Sequence, residues 1–227
     1  MRNKLEIAIV GIILLIFSAC SKDSDKESAQ PNFGYQYAPL HLSQEYTYAI
    51  DSIAYDDFTG TIDTIRFQRK YITESVSADL SGRNSYRIAV YERASDTLAW
   101  RKIRFVSKVK TRRTIEYLEN NQTTIPLIFP VKELDTWDAN ALNASNEFSF
   151  RYKEAHISSS INGVFYDSII VVEQRNEANL IEKYLQEEKY ASQIGMVYKK
   201  DKVLKTELNG TIRNGYDKTY YLVEYKP

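Results

Sequence analysis

Tyr86-Arg87-Ile88-Ala89-Val90-Tyr91 puts an aromatic or aliphatic residue at every second position, and Phe148-Ser149-Phe150-Arg151-Tyr152 does the same. Side chains of an extended strand point alternately to opposite faces, so this spacing describes strands with one face turned to a core. Working outward, less regular stretches of the same kind run from Tyr46 to Tyr55, Ile62 to Ile72, Leu98 to Val109, Thr114 to Leu118 and Thr124 to Phe129. Further ones run from Val164 to Glu173, Val197 to Leu208 and Thr219 to Tyr225. Between them stand Asn162-Gly163, Asn209-Gly210 and Asn214-Gly215, each able to supply the two positive φ angles of a type I′ hairpin turn. Ser81-Gly82 and Asn120-Asn121 are weaker turn signals. Short turns without helical crossovers predict a mainly β chain, an antiparallel meander forming a curved sheet or partly closed β-barrel. One segment departs from this grammar. Leu180, Ile181, Tyr184, Leu185, Tyr190 and Ala191 recur near helical spacing, which predicts one short helix over 179–192, with a long strand as the alternative.

Composition agrees with sheet. Eighteen tyrosines, nine phenylalanines and two tryptophans bring the aromatic share to 13%, and aromatic residues suit a pleated, half-buried surface. Lysine plus arginine equals aspartate plus glutamate, 30 against 30, so there is no basic field for nucleic acid. A single cysteine leaves no intramolecular disulfide, and the fold must rest on its core.

The start of the chain reads as an address. Arg2 and Lys4 precede an apolar run, Ile7 to Phe17, closed by Ser18-Ala19-Cys20. The run is too short to span a bilayer, which takes roughly 20 apolar residues, and it has the layout of a cleavable export signal. Phe17-Ser18-Ala19-Cys20 resembles the lipobox of bacterial lipoproteins, although Phe17 departs from the usual Leu, Val or Ile. The resemblance implies lipidation of Cys20, cleavage before it and acylation of the new amino terminus, an anchor that several acyl chains make stable. Residues 1–19 are then a signal peptide, 20–34 a lipidated tether poor in apolar residues, and 35–227 a single β-rich domain. Ser21-Lys22-Asp23-Ser24-Asp25 resembles the acidic export signal of Bacteroidetes-type surface lipoproteins. It implies a lipid-anchored outer-membrane protein exposed at the cell surface, the periplasmic face being the alternative.

Tyr190-Ala191 with Ile194-Gly195-Met196-Val197-Tyr198, Phe129-Pro130 through Trp137-Asp138, and the strand from Tyr48 to Tyr55 resemble stretches of uncharacterised β-rich lipoproteins of the same group. That resemblance implies no activity. Asp-Ser/Thr-aliphatic triplets centre on Ser52, Thr64, Thr97 and Ser168, four matches where ordinary usage gives about one. They resemble O-glycosylation acceptor sites of Bacteroidetes-type bacteria, and the competing reading is the ordinary alternation of strands.

Catalytic signals are sparse. His41 and His156 lie in no nucleophile motif, the histidine spacing suits no zinc site, and the eight glycines form no phosphate cradle, so neither metal nor cofactor is called for. Asp135 and Asp138 flank Trp137, a pattern that fits either a sugar platform with paired acids or an indole plugging a sheet end. The sequence therefore points to a non-catalytic binding or accessory module of the envelope, meeting a glycan or a neighbouring envelope protein. A small glycan-active hydrolase using paired carboxylates and a purely structural envelope protein are the alternatives.

Overall fold

Twelve antiparallel strands follow one another, and each pairs with its sequence neighbour except across one seam. They are β1 (Glu45–Tyr55), β2 (Ile62–Ala78), β3 (Asn84–Arg93), β4 (Arg101–Lys110), β5 (Thr114–Glu119) and β6 (Gln122–Ile128) in the first half. The second half holds β7 (Thr136–Asp138), β8 (Ser149–Ile161), β9 (Val164–Ala178), β10 (Glu182–Ala191), β11 (Gly195–Thr206) and β12 (Ile212–Lys226). The computed structural model describes residues 32–227, a single unit from Asn32 to Pro227. The expected export signal, Cys20 and the expected tether through residue 31 lie outside the described residues. Phe33 and Gly34, which the sequence assigns to the tether, belong to the fold: Val131 N–H donates to the Phe33 carbonyl at 3.0 Å.

First and last strands pair, β1 with β12, so the sheet order runs β6-β5-β4-β3-β2-β1-β12-β11-β10-β9-β8-β7 and the two edges are β6 and β7. These edges meet without a ladder, and the sheet rolls into a nearly closed barrel. Ile125 N–H donates to the Ala139 carbonyl at 2.9 Å, and Trp137 Nε1 donates to the Ile125 carbonyl at 2.7 Å. The Tyr152 hydroxyl donates to the Ile128 carbonyl at 2.6 Å and accepts from Ile128 N–H at 3.0 Å. Side chains thus satisfy backbone groups that an open edge would expose. Pro126, which lacks an N–H, is tolerated in β6 because β6 is an edge strand.

The 179–192 helix is not formed. Asn179, Leu180 and Ile181 make the β9–β10 turn, and Glu182–Ala191 is a strand paired on both sides. Leu180 and Ile181 stand exposed at 74% and 53%, so their helical spacing carried no packing information. The alternation was hidden because the inward set of β10 includes Gln186, Glu188 and Tyr190, which are polar or amphipathic. Of the turn pairs, Asn162-Gly163 joins β8 to β9 directly with φ of 49° and 80°, and Asn120-Asn121 joins β5 to β6 with φ of 50° and 60°. Asn209-Gly210 sits in a longer turn, where Gly210 N–H donates to the Glu207 carbonyl. Asn214-Gly215 is no turn at all. It lies inside β12, where a Cβ on Gly215 would come within 2.0 Å of the Val203 carbonyl oxygen, so glycine permits a close strand approach.

Ile169 to Val172 is buried throughout because β9 is covered on both faces. Ile170 and Val172 join Tyr152, Leu127, Phe129 and Phe150 in the main core, while Ile169 and Val171 join Ile161, Ala191 and Val197 in a second cluster. Antiparallel order gathers the β2–β3, β4–β5, β6–β7, β8–β9 and β10–β11 connections at one end of the barrel, together with the N-terminal stretch. That stretch crosses this end and forms its floor. Its 3-10 turn, Tyr35–Tyr37, buries Tyr37 completely. The Tyr37 hydroxyl lies 2.6 Å from Ser168 Oγ and 2.7 Å from His156 Nδ1, and Lys110 Nζ donates to the Tyr35 and Ala38 carbonyls at 2.9 and 2.8 Å.

Candidate functional site

Inside the barrel, above this floor, is a cavity of about 400 Å³. Ligand pockets run from about 300 to 1,000 Å³, so it is large enough for a small molecule. Its wall is built by strand parity. On β1 the even positions Tyr46 and Tyr48 face inward, and their register partners Tyr71 and Arg69 on β2 do the same. Lys199 on β11 pairs in register with Glu188 on β10 and Tyr220 on β12, and all three line the cavity. Arg104 and Lys108 come from β4, Tyr117 and Glu119 from β5.

The lumen charges are mostly paired. Lys199 Nζ donates to Glu188 Oε1 at 2.7 Å, and the Tyr190 hydroxyl donates to the other Glu188 oxygen. Burial pushes the Glu188 carboxyl up, but the Lys199 ammonium and the hydrogen bonds more than reverse this, so it stays below its ordinary value. Burial likewise pushes the Lys199 ammonium down and Glu188 more than restores it, leaving it raised. Arg104 forms an ion pair with Glu119, and Arg69 Nη2 donates to Glu92 Oε2 at 2.7 Å. Asp201 Oδ1 accepts from Gln186 Nε2 at 2.9 Å.

Lys108 is different. Among the described residues its ammonium has no hydrogen-bond or ion-pair partner, and the nearest aromatic face is Tyr117, with the ring centre 5.9 Å away. Burial lowers its pKa, and the distant charge of Glu188 offsets this only in part. Lys108, Lys199, Tyr71 and Tyr117 are surrounded by protein yet keep accessible surface, and that surface is the wall of the cavity. Beside Lys108 the register places Tyr117, and the next inward positions on β3, β5 and β6 are the aliphatic Ile88, Ile115 and Leu127. Burial holds the tyrosine hydroxyls of the lumen, Tyr48, Tyr117 and Tyr190, well above their ordinary pKa.

The residues singled out from sequence lie elsewhere. Asp138 Oδ1 accepts from the backbone N–H groups of Asn140 and Phe148, both at 2.9 Å, which clasps the β7–β8 loop. Asp135 is engaged through its backbone, its carbonyl accepting from Tyr152 N–H at 3.0 Å. Trp137 packs its half-buried ring 4.7 Å from Tyr152 and 6.0 Å from Phe150, at the seam between β6 and β7. None of the three lines the cavity. Ser52 is buried and Ser168 is held by Tyr37, whereas Thr64 and Thr97 are exposed. His41 is exposed, and His156 is exposed at a bulge of β8 with φ of 58°. Among the described residues no cluster of three or more histidine, cysteine or carboxylate side chains is placed to hold a metal ion.

Sequence reasoning missed the lumen because it sought apolar faces. The signal that could have found it is the charge-rich interior of the strands, Phe67-Gln68-Arg69-Lys70-Tyr71 and Tyr198-Lys199-Lys200-Asp201-Lys202, where neither alternating set is purely apolar. Comparison of the chain with protein-family models, with curated proteins and with solved structures found no match.

Proposed function

We propose that this protein is a non-catalytic binding module of the bacterial envelope, held to the outer membrane through lipid on Cys20, that takes a small molecule into the interior of its barrel. The observation that carries the reading is the cavity of about 400 Å³ with tyrosine hydroxyls and fixed charges on one side and aliphatic groups on the other. Pockets of this kind combine an apolar bulk with a few placed polar groups. A hydrolase reading has less support. A glycosidic general acid needs a raised carboxyl pKa, whereas Glu188 is held low, Glu119 is tied to Arg104, and Asp138 is occupied by backbone donors. A purely structural role leaves the cavity and its unpaired lysine without purpose.

The outer wall favours a barrel in water over one in lipid. Arg66–Asp51, Lys102–Glu74, Arg151–Glu173 and Lys202–Asp217 ion pairs decorate it, where a transmembrane barrel carries an apolar band. Anchorage is therefore assigned to the amino terminus. Replacing Cys20 with Ala should release the chain from the membrane fraction, and retention would end the anchor reading. Surface glycans or a neighbouring envelope protein remain candidate partners for the outer face, with Thr64 and Thr97 the accessible candidates for O-glycosylation. Native mass spectrometry of the full chain purified from its own cells tests lumen binding. A non-covalent small-molecule mass is expected, lost in Thr124→Trp, which fills the cavity from β6. An empty wild-type chain whose melting temperature no small molecule raises would overturn it.

A further inference from the structure

Resting on the lumen-binding reading, we propose that the ligand is a small monoanionic amphiphile whose acid group pairs with Lys108 and whose apolar body lies against Ile88, Ile115 and Leu127. The argument is one of unmatched charge. Lys199, Arg104 and Arg69 each have a carboxylate within the protein, at Glu188, Glu119 and Glu92. Lys108 has none among the described residues, and Glu188, the acid that it feels across the lumen, already holds Lys199 and Tyr190. An ammonium enclosed by the barrel wall without a protein partner is solvated only by what the cavity holds, and an apolar side chain of similar volume would cost the fold less. Lys108 nevertheless occupies an inward position on β4, beside Tyr117 in register and one pair away from the aliphatic Ile88 and Ile115. A counter-ion supplied from outside gives this charge its partner.

Ligand class follows from the same arrangement. Among the described residues lining the cavity, Lys108 is the cation without an acid partner, and Asp201, the lining acid without a cation, accepts from Gln186 and Tyr216 instead, so one negative charge placed beside Lys108 completes the local pairing. A cationic group would be repelled at Lys108, and a neutral sugar would leave the ammonium unmatched while facing Ile88, Ile115 and Leu127 with hydroxyls. A carboxylate on an aromatic or aliphatic body satisfies both parts of the wall, and the tyrosine rings opposite can pack against it. Entry is from the end away from the floor, where Arg104 and Glu119 keep 33% and 29% of their side-chain surface accessible.

The test uses the full chain in nanodiscs of zwitterionic lipid at pH 7, with 3-phenylpropionate and the uncharged 3-phenylpropionamide as probes in titration calorimetry, empty nanodiscs being subtracted. The acid should bind at least tenfold more tightly than the amide. Lys108→Met should abolish that difference, leaving both probes bound like the amide, while its melting temperature without ligand stays level or rises. Thr124→Trp should exclude both probes. Equal binding of acid and amide to the wild type, or a preference for the acid that survives Lys108→Met, would overturn the anion assignment and leave lumen binding standing. Binding of both probes that persists unchanged in Thr124→Trp, or binding of neither, would overturn the lumen reading and the anion assignment together. A Lys108→Met chain that melts well below the wild type would overturn the premise that Lys108 is an unmatched charge.

Discussion

The two sides of the barrel interior solve opposite problems with the same kind of strand. Along β6 to β9 the inner face is largely sealed: Phe150, Tyr152, Ile170 and Val172 pack with Leu127, whose remaining edge borders the cavity, against Tyr37 of the floor, and the Tyr152 hydroxyl is hydrogen-bonded to β6. Across the lumen, β1, β2, β4, β5 and β10 to β12 turn tyrosines, arginines, lysines and acids inward around open space. Burying apolar area stabilises at about 25 cal/mol per Å², whereas burying charge costs free energy unless each group finds a partner. The first side therefore holds the barrel together. The second is tolerated by it, and that cost is the physical ground on which the proposed lumen site rests.

Removing part of the sealed side should have the largest effect. Leu127→Ala leaves a cavity at a residue only 1% exposed and should cost about 2–5 kcal/mol in urea unfolding, with the slope unchanged. An effect below 1 kcal/mol would mean that this side is not the load-carrying core. On the polar side the outcome should depend on which member of a pair is removed. Lys199→Met strands Glu188 and should cost about 3 kcal/mol, and adding Glu188→Gln should recover much of this, because the expense is the unpaired charge rather than the lost contact.

The polar side should also set the pH limits. Glu188 is held below its ordinary value, so in the folded state it binds fewer protons than in the unfolded chain. Its contribution is present above the ordinary carboxylate range and lost as pH falls through the depressed folded value. The lumen tyrosines behave in reverse at high pH. Tyr48, Tyr117 and Tyr190 stay protonated in the fold above pH about 10, where unfolded tyrosines ionise, so stability should fall as pH rises past that point. Absorbance at 295 nm and circular dichroism should then change together, as one transition. Gradual tyrosine ionisation in a chain that stays folded would show that water and hydroxide reach the hydroxyls freely. The smallest effect is expected at the floor. Tyr37→Phe keeps the buried ring and removes the hydroxyl shared by Ser168 and His156, which should cost about 1 kcal/mol. Hydrogen exchange should rise at the Gln193 amide, which donates to the Gln36 carbonyl, before it rises in β9.

Local chemistry was legible along the chain wherever strand faces were unlike one another. Tyr86 to Tyr91 and Phe148 to Tyr152 alternate cleanly, and β3 and the start of β8 lie there. Where both faces carry polar groups the alternation disappears, which is why β10 looked helical and the three-residue β7 gave no signal. Trp137 could be read as platform or plug, and only the proximity of β6 to β7, which no local pattern encodes, brought its indole N–H to the Ile125 carbonyl at the seam.

What the sequence determined by itself was the class of structure: extended, antiparallel, aromatic-rich, turned at Asn162-Gly163 and Asn120-Asn121, and obliged to rely on its core for want of disulfides. Those properties belong to single residues and their near neighbours. Only the tertiary structure decided that β1 meets β12, that residues 33 to 40 close one end, and that Glu188 finds Lys199 while Lys108 finds no acid among the described residues. The physical reason is that pairing is a property of positions brought together across the barrel. Thirty acids and thirty basic residues balance on paper, and closure alone determines which of the charges lining the lumen pair with one another.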